Sequence, residues 1–316
     1  LKPASDTPLS SLKLVKLLLE AGLPEEAIAC VTGSGAALGQ AICSDSRVRK
    51  ISFTGSAEVG EQICRLAGLK RVTMELGSNS PVIVLDDADP QKVADAIAVT
   101  GFANAGQVCI SSQRILATPR IHDDLLDALT AEVSQLNAGN QLDEQTNVGP
   151  LVREQDAQRV EEWLGQAQSD GAELRCGGER RGAVIQPAVL AKVRGDMRMS
   201  CEELFGPAVG VTRTKDIDDA IRLANATRFG LSAAVFTQDI DKAIRFAREV
   251  DSGNLHINFG TAWRAETMPY GGLKDSGMGK EGPRYAIEEM TETKICLLYT
   301  SPRQRDATLS RKPTSA

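Results

Sequence analysis

The sequence predicts an α/β fold in which a parallel sheet carries helices on its faces, built as two successive units. Three observations point there. Short apolar runs alternate with stretches of helical period. The links between them are brief and glycine-bearing. The 316 residues suffice for two domains with a substantial core.

Each element has a local reason. Asp6-Thr7-Pro8 reads as a helix start, a capping side chain followed by Pro at the first helical position. Leu9, Leu12, Val15 and Leu18 or Leu19 recur at helical spacing, and Gly22 closes the segment. "AIACVT" (27–32) reads as a strand, and "GSGAALG" (33–39) as a glycine turn into a short helix. "RKISFT" (49–54) is the next strand, followed by Gly55-Ser56, a helix through Ala67 and the strand "KRVTMEL" (70–76). The boundary between the two units falls near Gly77–Pro81. Beyond it come the strand "PVIVLDD", a helix from about Pro90 to Ala105, another over 121–137, and one containing "EEWLGQAQSDG". "DIDDAIRLAN" (216–225) and "DIDKAIRFAR" (239–248) are Asp-capped helices flanking the strand "LSAAVFT"; "NLHIN" (254–258) is a further buried strand. The tail 299–316, basic and without amphipathic period, is expected to be disordered or non-native.

Composition narrows the function. With 42% hydrophobic and 25% charged residues the chain is an ordinary globular one. A net charge of −6 argues against a nucleic-acid surface, which needs a concentrated basic face. No apolar run approaches the roughly 18 residues of a membrane span, and no signal peptide is visible, so no membrane partner is expected. Seven cysteines without CxxC spacing read as reduced thiols, hence a cytoplasmic expectation. The two histidines, His122 and His256, lie far apart, which argues against a zinc site and a His-dependent hydrolase; no metal is expected.

In "GFANAGQVCISSQR" (101–114), Cys109 is surrounded by small uncharged side chains that leave space beside the sulfur. It reads either as a small buried hydrophobe or as a nucleophile. Glu75 ends an apolar strand just before Gly77, so its carboxylate either reaches water or faces a cavity. Gly33, Gly35 and Gly39 have a last gap one residue longer than the dinucleotide fingerprint. Gly55-Ser56 is a second strand–glycine–helix junction, where helix-start N–H groups suit a phosphate.

The stretches "KPASDTPLS", "FTGSAEVG", "VTMELGSNSP", "FANAGQVCISSQR", "EELFGP" and "MPYGGLKDSGMGKEG" together resemble the aldehyde dehydrogenase superfamily, in order from Lys2 to about Leu297. The motifs are most similar to those of lactaldehyde, non-phosphorylating glyceraldehyde-3-phosphate and succinate-semialdehyde dehydrogenases. The resemblance implies a partial Rossmann-type NAD(P)-binding domain over 1–77 and an α/β catalytic domain over 78–285. It further implies an oligomerisation strand over 286–298, making a homodimer or homotetramer. Cys109 would attack the aldehyde as a thiolate, giving a thiohemiacetal that passes hydride to nicotinamide. Glu75 would activate the water that hydrolyses the resulting thioester, and the Cys109 N–H would be one oxyanion donor. Glu281, in "GKEG", would relay protons or simply face solvent.

For the cofactor, NAD or NADP, the resemblance implies Lys2 at the adenosine ribose, the Gly33 and Gly55 turns, and Ser56 at the pyrophosphate. Gly77 and Glu203 would lie at the nicotinamide ribose, with Phe205 beside the ring. Ser5 stands where many NAD-preferring relatives carry a glutamate, so acceptance of NADP is expected. Arg264, in "FGTAWRAET" (259–267), and Arg114 would meet a hydroxylated, phosphorylated or carboxylated aldehyde; a surface charge is the other reading of Arg264. A CoA-acylating relative and a non-catalytic nucleotide-binding fragment are the rival readings, Glu75 arguing against the first. Ser78 replaces a usual glycine, the family's oxyanion asparagine lies upstream of Leu1, and the closing segment departs after about Leu298. The expectation is therefore a truncated chain whose turnover depends on the missing part.

Overall fold

The computed structural model describes residues 1–299, and the alternation resolves into two sheets with parallel cores. In the first, β1 (Lys50–Thr54) pairs in parallel with β2 (Arg71–Glu75), Thr54 lying beside Glu75. Helices α1 (Pro8–Glu20), α2 (Gly35–Ser44) and α3 (Ala57–Ala67) belong to this unit. Ser56 caps α3 by accepting from the Val59 N–H at 3.4 Å. Glu58 in the first turn and Arg65 in the last match the helix dipole. The core here is small, built around Ile51, Met74, Leu76 and Phe229.

The expected strand at 27–32 does not form. Glu25–Ala27 is a 3-10 turn, and among the described residues the stretch 28–32 bonds only to Leu1: Val31 N donates to the Leu1 carbonyl at 2.9 Å and the Leu1 amino group to the Ala29 carbonyl at 2.6 Å. An extended segment without a neighbouring ladder is not a sheet strand, and β1 pairs with β2 alone.

The larger sheet has seven strands. Its members are β3 (Pro81–Val84), β4 (Arg114–Ala117), β5 (Glu173–Cys176), β8 (Ala188–Ala191), β9 (Ala208–Arg213), β11 (Ser232–Phe236) and β12 (Asn254–Ile257). They run in the order β12-β11-β3-β4-β9-β8-β5, parallel except for the antiparallel edge strand β5. Strands β3, β4, β8 and β11 are wholly buried, as strands of a parallel sheet covered on both faces are. Helices α4 (Pro90–Phe102), α5 (His122–Ser134), α6 (Glu154–Ser169) and the short α7 (Arg198–Cys201) share one core cluster. α8 (Ile217–Asn225) and α9 (Ile240–Glu249) contribute to a second cluster. Two-residue hairpin strands, β6 (Arg180–Arg181) with β7 (Val184–Ile185), lie beyond β5, and β10 (Phe229–Gly230) pairs with β13 (Leu273–Lys274).

The chain then returns to the first sheet. β14 (Gly277–Met278) runs antiparallel to β2, with Gly277 opposite Glu75. Gly277 has φ +135°, and a side chain there would overlap the Met74 carbonyl, so only glycine fits. Residues 286–290, expected in an oligomerisation strand, belong instead to α10 (Pro283–Met290). Residues 291–298 make no ladder with the described residues, although Arg71 anchors them through the Thr291 carbonyl at 2.9 Å and Glu292 at 2.7 Å. The tail at 299–316 lies outside the described residues apart from Tyr299. Among the described residues no helix is long and apolar enough to cross a membrane, and no group of His, Cys, Asp and Glu is placed to hold a metal.

Candidate active site

The loop carrying Cys109 owes its position to a sharp stop in α4. The helix ends at Phe102, three residues before the sequence suggests, because Asn104 and Ala105 adopt left-handed backbone angles, followed by Gly106 at φ +70°. Two non-glycine residues in that region cost about 1–2 kcal/mol each, so surrounding contacts must hold them. They are held. Gly106 packs so closely on Gly206 that a side chain would overlap the Gly206 carbonyl. Ser112 bonds to Thr100 at 2.8 Å and to Thr261 at 2.9 Å, and Thr261 donates to the Ile110 carbonyl at 2.7 Å. The small residues around Cys109 thus serve close backbone approach and a buried hydroxyl network.

The Cys109 sulfur faces a cavity of about 1060 Å³, and Glu75 lines the same space. Glu75 leaves the end of β2, is 4% exposed, and neither carboxylate oxygen has a hydrogen-bond partner among the described residues. Gly271 makes room for it: a Cβ there would lie 3.0 Å from Glu75 Oε1. Burial, seconded by the charge of Glu281, pushes the Glu75 carboxyl up to about 8, while Lys280 and Arg264 oppose the rise. An unpaired buried carboxyl beside a cavity is a poised proton acceptor, since it carries its proton near neutrality and loses it just above. Burial also raises the Cys109 thiol; a hydrogen bond shared with Tyr270 pulls it back, and Glu203 and Glu75 push it further up.

A second carboxylate closes the opposite wall. Glu203 accepts from the Ser78 N–H at 3.1 Å, and burial lifts it to about 7. Gly77 is what admits it, because a Cβ there would lie 2.5 Å from Glu203 Oε2. Gln113 clamps this loop with three bonds: its amide donates to the Met199 and Glu202 carbonyls at 2.7 and 2.9 Å and accepts from Leu204 N at 3.0 Å. Phe205, at φ +48°, projects into the cavity, which is also lined by Gly55 and by Ser56 at the N-terminus of α3.

Seven sequence-predicted residues therefore meet around one space: Glu75, Cys109, Gly55, Ser56, Gly77, Glu203 and Phe205. Lys2, Ser5 and Gly33 do not line it. The Ser5 hydroxyl donates to the Gly33 carbonyl at 3.5 Å, and the Lys2 ammonium donates to the adjoining Pro3 carbonyl at 2.5 Å. Glu281 is ion-paired with Arg264, whose guanidinium stacks 4.7 Å from the Tyr270 ring.

Arg114 is a correction. It sits on β4, 4% exposed, bonded to the Leu223 carbonyl at 2.5 Å and to Asn79 Oδ1 at 3.4 Å. A guanidinium buried in the sheet cannot reach a substrate, and burial pulls it down to about 10.

Three residues escaped sequence reasoning. Tyr270 lies within the quoted "MPYGG" and touches Cys109. Lys280 donates to the Gly271 carbonyl at 2.9 Å, beneath Glu75. Arg228 lines the cavity and joins Glu58 at 2.8 Å to Glu202 at 3.0 Å across the two units. Tyr270 and Lys280 had a signal in their adjacency to motif glycines; Arg228 had none.

Comparison with known proteins agrees with this geometry. The model described as "Aldehyde dehydrogenase family" matches residues 1–296. The chain is 46% identical over 298 residues to the 3-sulfolactaldehyde dehydrogenase of Priestia aryabhattai, covering 94% of this chain and 62% of the relative. It is 38% identical to the lactaldehyde dehydrogenase of Methanococcus aeolicus, covering 94% and 65% respectively. Among solved structures, glyceraldehyde-3-phosphate dehydrogenase GapN from Methanocaldococcus jannaschii, complexed with NADP, superposes with a TM-score of 0.88 at 39% identity, over 92% of this chain and 64% of that one. The chain thus spans somewhat under two thirds of the length of these relatives.

Proposed function

The chain belongs to the aldehyde dehydrogenase family, and on that premise we propose that it oxidises a small polar aldehyde to the carboxylic acid with NAD or NADP. The observation that carries the proposal is the shared cavity: one sulfur and one carboxyl unpaired among the described residues border the same space as a helix N-terminus and a second, half-buried carboxylate. Cys109 is the nucleophile, adding to the aldehyde carbon to give a thiohemiacetal on Sγ. After oxidation the acyl group remains on Sγ as a thioester, and Glu75 takes a proton from the water that releases it. With Glu75 titrating at about 8, this release accelerates as pH rises through that value.

The residues fit the dinucleotide. Ser56 and the free N–H groups of α3 suit its pyrophosphate. Glu203, admitted by Gly77, suits the nicotinamide ribose, and Phe205 the ring beside it. When bound, the nicotinamide accepts the hydride that the Cys109-linked carbon gives up. Lys2 and the neutral Ser5 favour acceptance of a 2′-phosphate, so NADP use belongs to the proposal; strict NAD use would refute that part.

The substrate class follows the relatives, whose names specify sulfolactaldehyde, lactaldehyde and glyceraldehyde 3-phosphate. Arg264 is the cation for an anionic tail, which would compete with Glu281 for the guanidinium. Glu281 is in turn the residue through which the Glu75 proton would leave. The exposed Ile295, Leu297 and Leu298 suit a subunit contact, and seven free thiols suit a reducing cytoplasm.

The test is reduction of NAD or NADP by the chain with lactaldehyde, 3-sulfolactaldehyde and succinate semialdehyde, beside Cys109→Ser. Aldehyde oxidation that survives Cys109→Ser refutes the mechanism. An activated ester gives a cofactor-free arm: Glu75→Gln should accumulate acyl-Cys109, seen by intact mass, where the native chain clears it.

A further inference from the structure

We propose that Tyr270 sets the reactivity of the Cys109 sulfur, its phenol O–H donating to Sγ and stabilising the thiolate over the thiol. This deepens the reading of Cys109 as nucleophile and rests on it.

The hydroxyl lies 3.4 Å from Sγ, and this is the one hydrogen bond the phenol makes among the described residues. Tyr270 is 4% exposed, packed with Ile110 and Leu231 into a small cluster that also holds Cys109 in place. Its backbone is tied as well, since Glu281 N donates to the Tyr270 carbonyl at 2.6 Å. Ring and hydroxyl are therefore held against the sulfur from two sides.

The donor inventory decides the direction. A thiol is a weak donor and a weak acceptor, so in the neutral state either atom can hold the proton of the bond. A thiolate can only accept, and the bond then becomes charge-assisted and shorter. Ionisation of Cys109 thus strengthens the contact, which amounts to saying that the contact favours ionisation. Arg264 adds to this: its guanidinium, held by Glu281, lies over the Tyr270 ring and draws electron density from the phenol, making it the better donor. The sequence Glu281, Arg264, Tyr270, Cys109 is a line of contacts from the 281 loop to the reacting atom. It offsets the two nearby carboxylates, Glu203 and Glu75, which disfavour a negative sulfur.

Tyr270→Phe keeps the ring and deletes the O–H. The readout is alkylation of Cys109 by iodoacetamide, followed at the Cys109 peptide by mass spectrometry from about pH 6 to about pH 11. The expected result is a midpoint raised by about one pH unit and a rate near pH 8 lowered roughly tenfold, with the high-pH plateau retained. Cys201, which lines the same cavity, serves as the internal standard and should alkylate unchanged. A role in packing alone would move the plateau and Cys201 together and leave the Cys109 midpoint in place; that result overturns the proposal, as do coincident midpoints. Should Tyr270→Phe fail to fold, Arg264→Gln, a partly exposed side chain, carries the test: a smaller upward move supports the proposal and an unmoved midpoint overturns it. The functional reading fails separately, through aldehyde oxidation that persists in Cys109→Ser.

Discussion

Glu75 gives a prediction that needs neither cofactor nor substrate. Its carboxyl rises from the ordinary 4.5 to about 8 because it is buried without a partner. At about 1.4 kcal/mol per pKa unit, ionising it in the folded chain costs at most about 5 kcal/mol. The sign follows from proton counting. Between pH 4.5 and about 8 the folded chain holds a proton that the unfolded chain has released, so this residue makes stability fall as pH rises through the window. Below 4.5 both states are protonated, and above about 8 both are ionised, so the loss is then complete. Glu75→Gln is neutral throughout and removes the effect. The assay is urea unfolding of the native chain and Glu75→Gln at a series of pH values. The variant should gain on the native chain steadily across the window and hold a constant advantage above it. Parallel stability–pH curves would refute the reasoning, because they would mean that Glu75 is solvated and ordinary.

Three further outcomes are expected. Gly77→Ala should push the Glu203 carboxylate aside, since a Cβ would sit 2.5 Å from Oε2; dinucleotide affinity by fluorescence titration should fall roughly tenfold or more. Gln113→Ala removes three bonds that hold the Glu203 loop, and by leaving buried backbone groups unpaired should cost about 2–4 kcal/mol in urea unfolding. Arg114→Met should leave the aldehyde KM within about twofold of the native value, because its guanidinium is spent on the Leu223 carbonyl and Asn79 rather than on substrate; a large rise in KM would reinstate it as a substrate residue.

Much of this protein was legible from residue order alone. Periodicity located α3, α5, α8 and α9, because an amphipathic helix and its cap are local properties. The family resemblance of the motifs also implied that Cys109, Glu75, Glu203, Gly55 and Ser56 share one site, and they line one cavity. Strands β4, β5, β8 and β9 escaped notice, being short segments whose identity depends on the neighbours they pair with. The segment at 27–32 failed for the opposite reason, having strand-like residues and no ladder. Arg114 was misjudged because its residue type suggested a cation for a substrate tail, while sheet register placed it inside. Titration behaviour was beyond any sequence. Glu75 is set by what is absent around it among the described residues, and Cys109 first by its burial and then by contacts that include a phenol 161 positions away. Covalent order determines which groups exist and what each stretch prefers; desolvation and distance, which give those groups their chemistry, exist only once the chain has closed on itself.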